Sequence, residues 1–312
     1  MTSDTLDNRW AILYCPRTGI RSKRKRWDRL QRELDLRGVK YDMVQSENTE
    51  SVERLIGMFV RNGYQTIVVV GGDSALNDAV NCLMCESPEV RQRVKLGVVP
   101  NGALNDFARF WGFNDVDGQT VDWLKHSRSR RIDLGRIDFT DKQGQSHSRY
   151  FLNCINIGTT ADIMNLRQQT KRLLWSSTLS FLVSIILKIF HRNAYKMRLA
   201  VNSETIDHRV MTVCVGNALG YGQTPSAVPY SGMLDVTVVY DPRLSQLFSG
   251  LWLLISGRFL NHRSVHPYRT RKLEVLEARH ALVGIDGRLM AQPSGSYTIT
   301  IEPEVINFMI PD

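Results

Sequence analysis

Two stretches of the sequence place glycines, carboxylates and asparagines together at the end of an apolar run. Gly71-Gly72-Asp73-Ser74-Ala75-Leu76-Asn77-Asp78 follows the β-branched run Thr66 to Val70. Pro100-Asn101-Gly102-Ala103-Leu104-Asn105-Asp106-Phe107-Ala108-Arg109 follows Lys95 to Val99. Glycine lets a ligand approach the backbone closely, and the start of a helix offers N–H groups to phosphate oxygens. A carboxylate repels phosphate, so Asp73 and Asp106 in such loops imply a divalent cation between the two. The competing reading makes Asp73 a helix cap and nothing more.

The elements that must position these loops follow from hydrophobic period. Across the first 125 residues the pattern alternates between short apolar strands and amphipathic helices, the mark of βαβ units. Strands are predicted at Trp10 to Tyr14, Val39 to Val44, Thr66 to Val70 and Lys95 to Val99. Helices are predicted at about 21–37, at 49–61 and at 75–85, with another from about Leu104. This is an open, mostly parallel α/β sheet, in which ligands bind beyond the carboxyl ends of the strands. Beyond residue 130 strands dominate: Arg131 to Asp138, Tyr150 to Ile157, Lys196 to Val201, Arg209 to Val215, Leu234 to Tyr240, Lys272 to Glu277, Tyr297 to Ile301 and Val305 to Ile310. Helical insertions near 161–190 and 243–260 interrupt them. A two-domain chain is expected, with an α/β nucleotide-binding domain at 1–130 and a β-sandwich-like domain at 131–312.

The two glycine loops resemble the signature of the diacylglycerol kinase catalytic-domain family, G-G-D-G-T-x-N-E followed by P-x-G-T-x-N-D-F-A-R. This family includes bacterial soluble lipid kinases, sphingosine kinases and ceramide kinases. Further landmarks stand in the family's order. They are Cys15-Pro16-Arg17-Thr18-Gly19, Arg131-Ile132-Asp133-Leu134-Gly135, Phe151-Leu152-Asn153, Val215-Gly216-Asn217, the segment from Pro229 to Asp235, and Ile285-Asp286-Gly287. The resemblance implies an α/β domain and a β-sandwich domain with the active site in the cleft between them. The last strand is expected to pack back on the first domain. It implies transfer of the γ-phosphoryl group of ATP to a lipid hydroxyl, with Mg²⁺. Gly71, Gly72, Asp73, Ser74, Asn77, Gly102, Asn105 and Asp106 would bind nucleotide. Asp73, Asp106 and Asp133 would form a carboxylate network around metal and phosphates, and Asp286 would be the general base. Such chemistry asks mainly for positioning and charge neutralisation.

Several motif positions depart from that pattern. Ser74 and Ala75 replace the glycine and threonine after the motif aspartate, and Ala103 replaces the threonine of the second loop. Arg288 stands where the family has the glutamate of D-G-E, and is expected to hold phosphate or an anionic head group. Tyr230 and Ser231 replace two aspartates, leaving Asp235 as a weak remnant of a structural metal cage. Two functions stay open: a divergent lipid kinase for a diacylglycerol-like or sphingoid acceptor, and an impaired kinase that binds lipid or nucleotide as a regulator.

Composition limits the alternatives. The chain has 312 residues, 43% hydrophobic and 23% charged, and a net charge of +9 that favours an anionic partner. Five cysteines and a polar, acidic start point to a reducing, cytoplasmic setting. A lipid kinase there must reach the inner face of the membrane. The uncharged runs Leu173 to Leu187 and Leu244 to Gly257 are too short to span, and are read either as interfacial helices or as buried ones. Arg21, Lys23, Arg24, Lys25 and Arg26 form a basic cluster that would attract anionic lipid or line a solvated helix face. Gly72-Asp73-Ser74 could suggest a serine esterase, but the late Asp-x-x-His that would supply its base is missing. There is no P-loop and no nucleic-acid-binding module. Cys82 and Cys85 are expected in the core, and His262 and His266 on the surface.

Overall fold

The computed structural model describes residues 9–16, 23–102, 105–113, 118–170 and 194–312. Arg17 to Gly19 of the first landmark, Arg21 of the basic cluster, Ala103, Leu104 and the run Leu173 to Leu187 lie outside the described residues. The chain divides into two compact units, Met1–Ile132 with Glu304–Asp312, and Asp133–Pro303.

The first unit is an α/β layer. Its strands β1 (Trp10–Tyr14), β2 (Tyr41–Gln45), β3 (Thr66–Gly71) and β4 (Lys95–Pro100) alternate with helices α1 (Lys23–Leu36), α2 (Thr49–Arg61), α3 (Asp73–Met84) and α4 (Pro88–Arg93). Helices α5 (Asp106–Phe110) and α6 (Gly118–Lys125) follow. The strands pair in parallel in the order β2-β1-β3-β4, and Asn307 and Phe308 near the chain end add a parallel strand beside β4. β3 can sit centrally because Ile67, Val68, Val69 and Val70 are all buried, as a strand covered on both faces requires. Helix α2 begins where Asn48 and Ser51 cap each other's backbone, and Leu55, Ile56 and Phe59 form its buried stripe. It ends at Asn62 and Gly63, whose φ of 86° few other residues adopt readily. Gly97 in β4 lets Met309 and α6 approach: a Cβ there would lie 3.0 Å from the Met309 sulfur and 3.1 Å from Leu124.

The second unit is antiparallel. It comprises β5 (Arg128–Thr140, from Asp133 on), β6 (Ser146–Phe151), β7 (Cys154–Gly158), helix α7 (Thr159–Thr170), β8 (Tyr195–Val201), β9 (Glu204–Gly216) and β10 (Leu234–Tyr240). Helix α8 (Leu244–Ile255) then leads to β11 (Val265–Thr270), β12 (Lys272–Ala278), β13 (Val283–Ile285), β14 (Arg288–Leu289) and the first part of β15 (Tyr297–Ile310). One half of β9 pairs with β8, and the other half lies between β7 and β10. The inward side chains of these strands, among them Ile155, Ile157, Leu199, Val213, Val236, Leu273 and Ile299, form one sandwich core.

The structure corrects four readings of the sequence. The predicted strand Tyr150 to Ile157 is two strands, because the backbone N–H groups at 152–154 turn aside to a carboxylate described below. Tyr297 to Ile301 and Val305 to Ile310 are one strand, β15, bent at Glu304 with φ 54°. His262 is buried rather than superficial, and Cys85 is exposed rather than in the core.

Gly135 in β5 lies opposite Phe151 in β6, and the Phe151 ring covers it: a Cβ on Gly135 would sit 1.9 Å from Cζ. Both residues belong to the landmarks, so the pairing gives that glycine a packing reason. Gly135→Ala is expected to lower the unfolding free energy by about 2 kcal/mol, in the range for overpacking. The readout is a lower urea midpoint at an unchanged m-value.

Candidate active site

In the first unit, Asn101 ties together the carboxyl ends of three strands. Its N–H donates to Gly71 O at 2.8 Å and its Nδ2 to Cys15 O at 3.3 Å. Its Oδ1 accepts from Arg26 Nη1 at 2.9 Å, which brings α1 to the same point. The two glycine loops then touch backbone to backbone. A Cβ on Gly72 would stand 2.8 Å from Gly102 Cα, and one on Gly102 2.5 Å from Gly72 Cα. These two glycines are therefore needed for the loops to meet.

Asn105 holds the second loop closed. It takes the left-handed conformation, φ 56°, that asparagine tolerates better than most residues. Its Oδ1 accepts from Gly102 N–H at 2.7 Å and its Nδ2 donates to Gly102 O at 3.1 Å. Asp73 starts α3, and Gly72 before it supplies no side-chain cap. The Asp73 carboxylate serves a different helix: it accepts Asp106 N–H at 3.0 Å and Phe107 N–H at 3.2 Å, at the start of α5. Asp73 thus caps α5, and not the helix that it begins. It also means that these two N–H groups of α5 go to Asp73. Asn77 is buried and its Oδ1 accepts from Asn81 Nδ2 at 3.1 Å. Ser74 lies in the first turn of α3, half-buried.

In the second unit, Asp286 and Gly287 form the two-residue loop between β13 and β14, with φ values of 42° and 84°. Asp-Gly suits such a turn, which needs both central residues at positive φ. The Asp286 side chain is buried and collects three backbone donors: Leu152 N–H at 2.7 Å on Oδ2, and Asn153 and Cys154 N–H, each at 2.9 Å, on Oδ1. Asn217, the residue after β9, binds the same segment. Its N–H donates to Asn153 O, and its Nδ2 to Leu152 O at 2.9 Å and Asp133 O at 3.0 Å. Asp133 in turn accepts Gly232 N–H at 2.6 Å. Asn153 is fully buried, and neither polar atom of its amide has a hydrogen-bond partner among the described residues.

Arg288 pairs with Ile285 across the hairpin, half-buried, two residues from Asp286. Asp235 lies opposite Arg269 across the β10–β11 pair, 3.4 Å from its guanidinium. Burial pushes the Asp235 carboxyl up, and Arg269 only partly offsets this.

Among the described residues, no three His, Cys, Asp or Glu side chains converge on a metal position. Mg²⁺ on a nucleotide usually takes one or two protein carboxylates and completes its shell with phosphates and water. Asp106, half-buried at the start of α5 beside Asp73, fits that modest demand.

Asn101 and Arg26 are contributions that sequence reasoning passed over. Asn101 sits in a Pro-Asn-Gly turn, where asparagine needs no further explanation. Its three bonds join residues 30 to 86 positions apart, which no local pattern reports.

Residues 9–137 match the model of the diacylglycerol kinase catalytic domain, and residues 153–310 that of the YegS C-terminal NAD kinase beta sandwich-like domain. YtlR of Bacillus subtilis is 24% identical over 295 residues, covering 90% of this chain and 93% of that one. A diacylglycerol kinase of Staphylococcus saprophyticus is 20% identical, with 92% and 90% covered. A diacylglycerol kinase structure from Bacillus anthracis superposes with a TM-score of 0.67 at 14% identity, covering 97% of both chains. Yeast NADH kinase shares the fold more distantly, with a TM-score of 0.54 at 8% identity, 98% of this chain and 83% of that one. With both of its halves matched in order, the chain belongs to the diacylglycerol kinase catalytic-domain family, in the branch that carries a YegS-type β-sandwich domain.

Proposed function

We propose that this protein is a lipid kinase that transfers the γ-phosphoryl group of ATP to a lipid hydroxyl at a membrane surface. The observation that carries this reading is the lock between the glycine loops. Asp73, Asn101 and Asn105 fix the Gly71–Gly72 and Gly102 turns at the strand ends, where phosphates bind in an α/β sheet. Phosphoryl transfer needs little covalent help from a protein, so a rigid cradle is most of what the enzyme must supply. Gly71, Gly72, Ser74 and Asn77 from the first loop and Gly102, Asn105 and Asp106 from the second would face the nucleotide. Mg²⁺, held by Asp106 with Asp73 behind it, would neutralise charge on the phosphates. Nothing in the structure or the comparisons favours the alternative of an inactive regulator.

In the reaction, the lipid oxygen bonds to the γ-phosphorus, the bond to the β-phosphate oxygen breaks and ADP leaves. The hydroxyl proton must go to a base, and Asp286 is proposed for that role, with Arg288 beside it meeting phosphate or head group. Asp133 would support the site through the 229–233 loop that its carboxylate holds. A second reading of Asp286 rests on its three N–H donors: it is a positioning residue that shapes the 152–154 turn.

Purified protein with radiolabelled ATP, Mg²⁺ and mixed micelles of diacylglycerol, ceramide or sphingosine is expected to yield a labelled lipid. No labelled lipid from any acceptor or from a total lipid extract would sink the proposal. Asp73→Asn replaces one acceptor oxygen by an amide facing an N–H group, which costs about 1–3 kcal/mol. ATP affinity by calorimetry is expected to fall tenfold or more, and unchanged affinity would separate the loop lock from nucleotide binding. Asp286→Asn distinguishes the two roles of that residue. As a base its loss lowers kcat by about 10² to 10⁴ and abolishes the acid limb of the pH–rate profile. As a positioning residue its loss lowers activity and melting temperature together and leaves the shape of that profile intact.

A further inference from the structure

Helix α8 carries an apolar face that the described residues leave exposed. Phe248, Trp252 and Ile255 are 60%, 70% and 73% exposed, and their spacing of four and then three residues puts them on one side of the helix. The opposite side is fastened down. Leu254 packs on Val239, Phe259 and Val265. The buried His262 ring reaches Gln246 O through Nε2 at 3.0 Å and accepts Ser264 N–H on Nδ1 at 3.2 Å. The helix is thus held while its large side chains face outward.

Charge decides what this face fits. Exposed Arg243, Arg258 and Arg263 flank the helix, and no acidic residue occurs between Arg243 and Arg263. An apolar stripe containing tryptophan, framed by arginines on a helix too short to span, has the chemistry of the bilayer interface. A second copy of the chain fits poorly. Three partly exposed side chains offer roughly 400 Å², about half of what each partner of a stable complex buries. Two-fold pairing would also set arginine against arginine. Among the described residues no helix is long and apolar enough to cross a membrane.

We infer that α8 is the docking surface of this protein on an anionic lipid bilayer, with Phe248, Trp252 and Ile255 entering the interface and Arg243, Arg258 and Arg263 meeting acidic head groups. The purpose of such docking rests on the lipid-acceptor reading above, but its test does not. The full-length chain, without ATP, is sedimented with sucrose-loaded vesicles of equal phosphatidylglycerol and phosphatidylcholine, or of phosphatidylcholine alone. Wild type is expected to partition onto the anionic vesicles, and Phe248→Ser/Trp252→Ser/Ile255→Ser to lose at least tenfold. Arg258→Gln/Arg263→Gln is expected to lose on the order of tenfold on anionic vesicles and little on neutral ones. Wild-type binding by a folded triple variant would overturn the assignment. So would a dimer in sedimentation velocity that the triple variant dissolves while neither protein binds vesicles. If the triple variant does not fold, Trp252→Phe serves instead. Brominated acyl chains should quench a share of wild-type fluorescence that Trp252→Phe lacks, and equal quenching overturns the docking. A protein that binds vesicles but phosphorylates no lipid refutes the kinase reading alone. One that phosphorylates micellar lipid but ignores vesicles refutes the docking alone.

Discussion

The Asp73 carboxylate accepts the backbone N–H groups of Asp106 and Phe107, and much of the first unit is arranged so that these atoms meet. The parallel register brings Gly71 beside Pro100, so that β3 and β4 end together. Gly72 and Gly102 then let the following turns approach to a distance no side chain would allow. Asn105 takes a left-handed conformation so that α5 starts in the right direction. A short helix such as α5 has little intrinsic stability. A charged acceptor at its N-terminus is therefore a disproportionate part of what fixes it.

Carboxylates in the second unit do the same work. Asp286 gathers three backbone donors from 152–154, and Asp133 holds the Gly232 turn. Both are buried, and both are supplied with N–H groups, the partners that make burial of a carboxylate tolerable. Asn217 donates through Nδ2 to the Asp133 and Leu152 carbonyls. The residues that carry the family resemblance are thus ties between segments distant in sequence.

The departures from the family pattern leave the loop contacts in place. Ser74 and Ala75 alter side chains in the first turn of α3, yet the glycines at the loop contact, the αL asparagine and the Asp73 lock all stand. Arg288 lies on the strand after the Asp286 turn, and the charge it brings does not replace any of the three donors of that carboxylate. Asp235, expected from the resemblance to be a weak remnant of a metal cage, has Arg269 as its ionic partner.

The sequence by itself determined the α/β character of the first unit, its four parallel strands, and the β-rich second unit. These depend on local period: a fully buried strand reads as an unbroken apolar run and a helix as a stripe. It also marked Asp73, Asn105 and Asp106, which stand with glycines where apolar strands give way to helices, while Asp133 and Asp286 were marked through the family resemblance. Tertiary structure alone decided that Asp73 caps α5 rather than α3, and that Asp286 interrupts a strand predicted to run through residue 153. Both facts are pairings between segments 33 to 134 residues apart. The reach of Asn101 to Cys15 and Arg26, and the choice of which side of α8 stays outside, are of the same kind. A local pattern records what each residue prefers, and only the packed chain records which donor it meets.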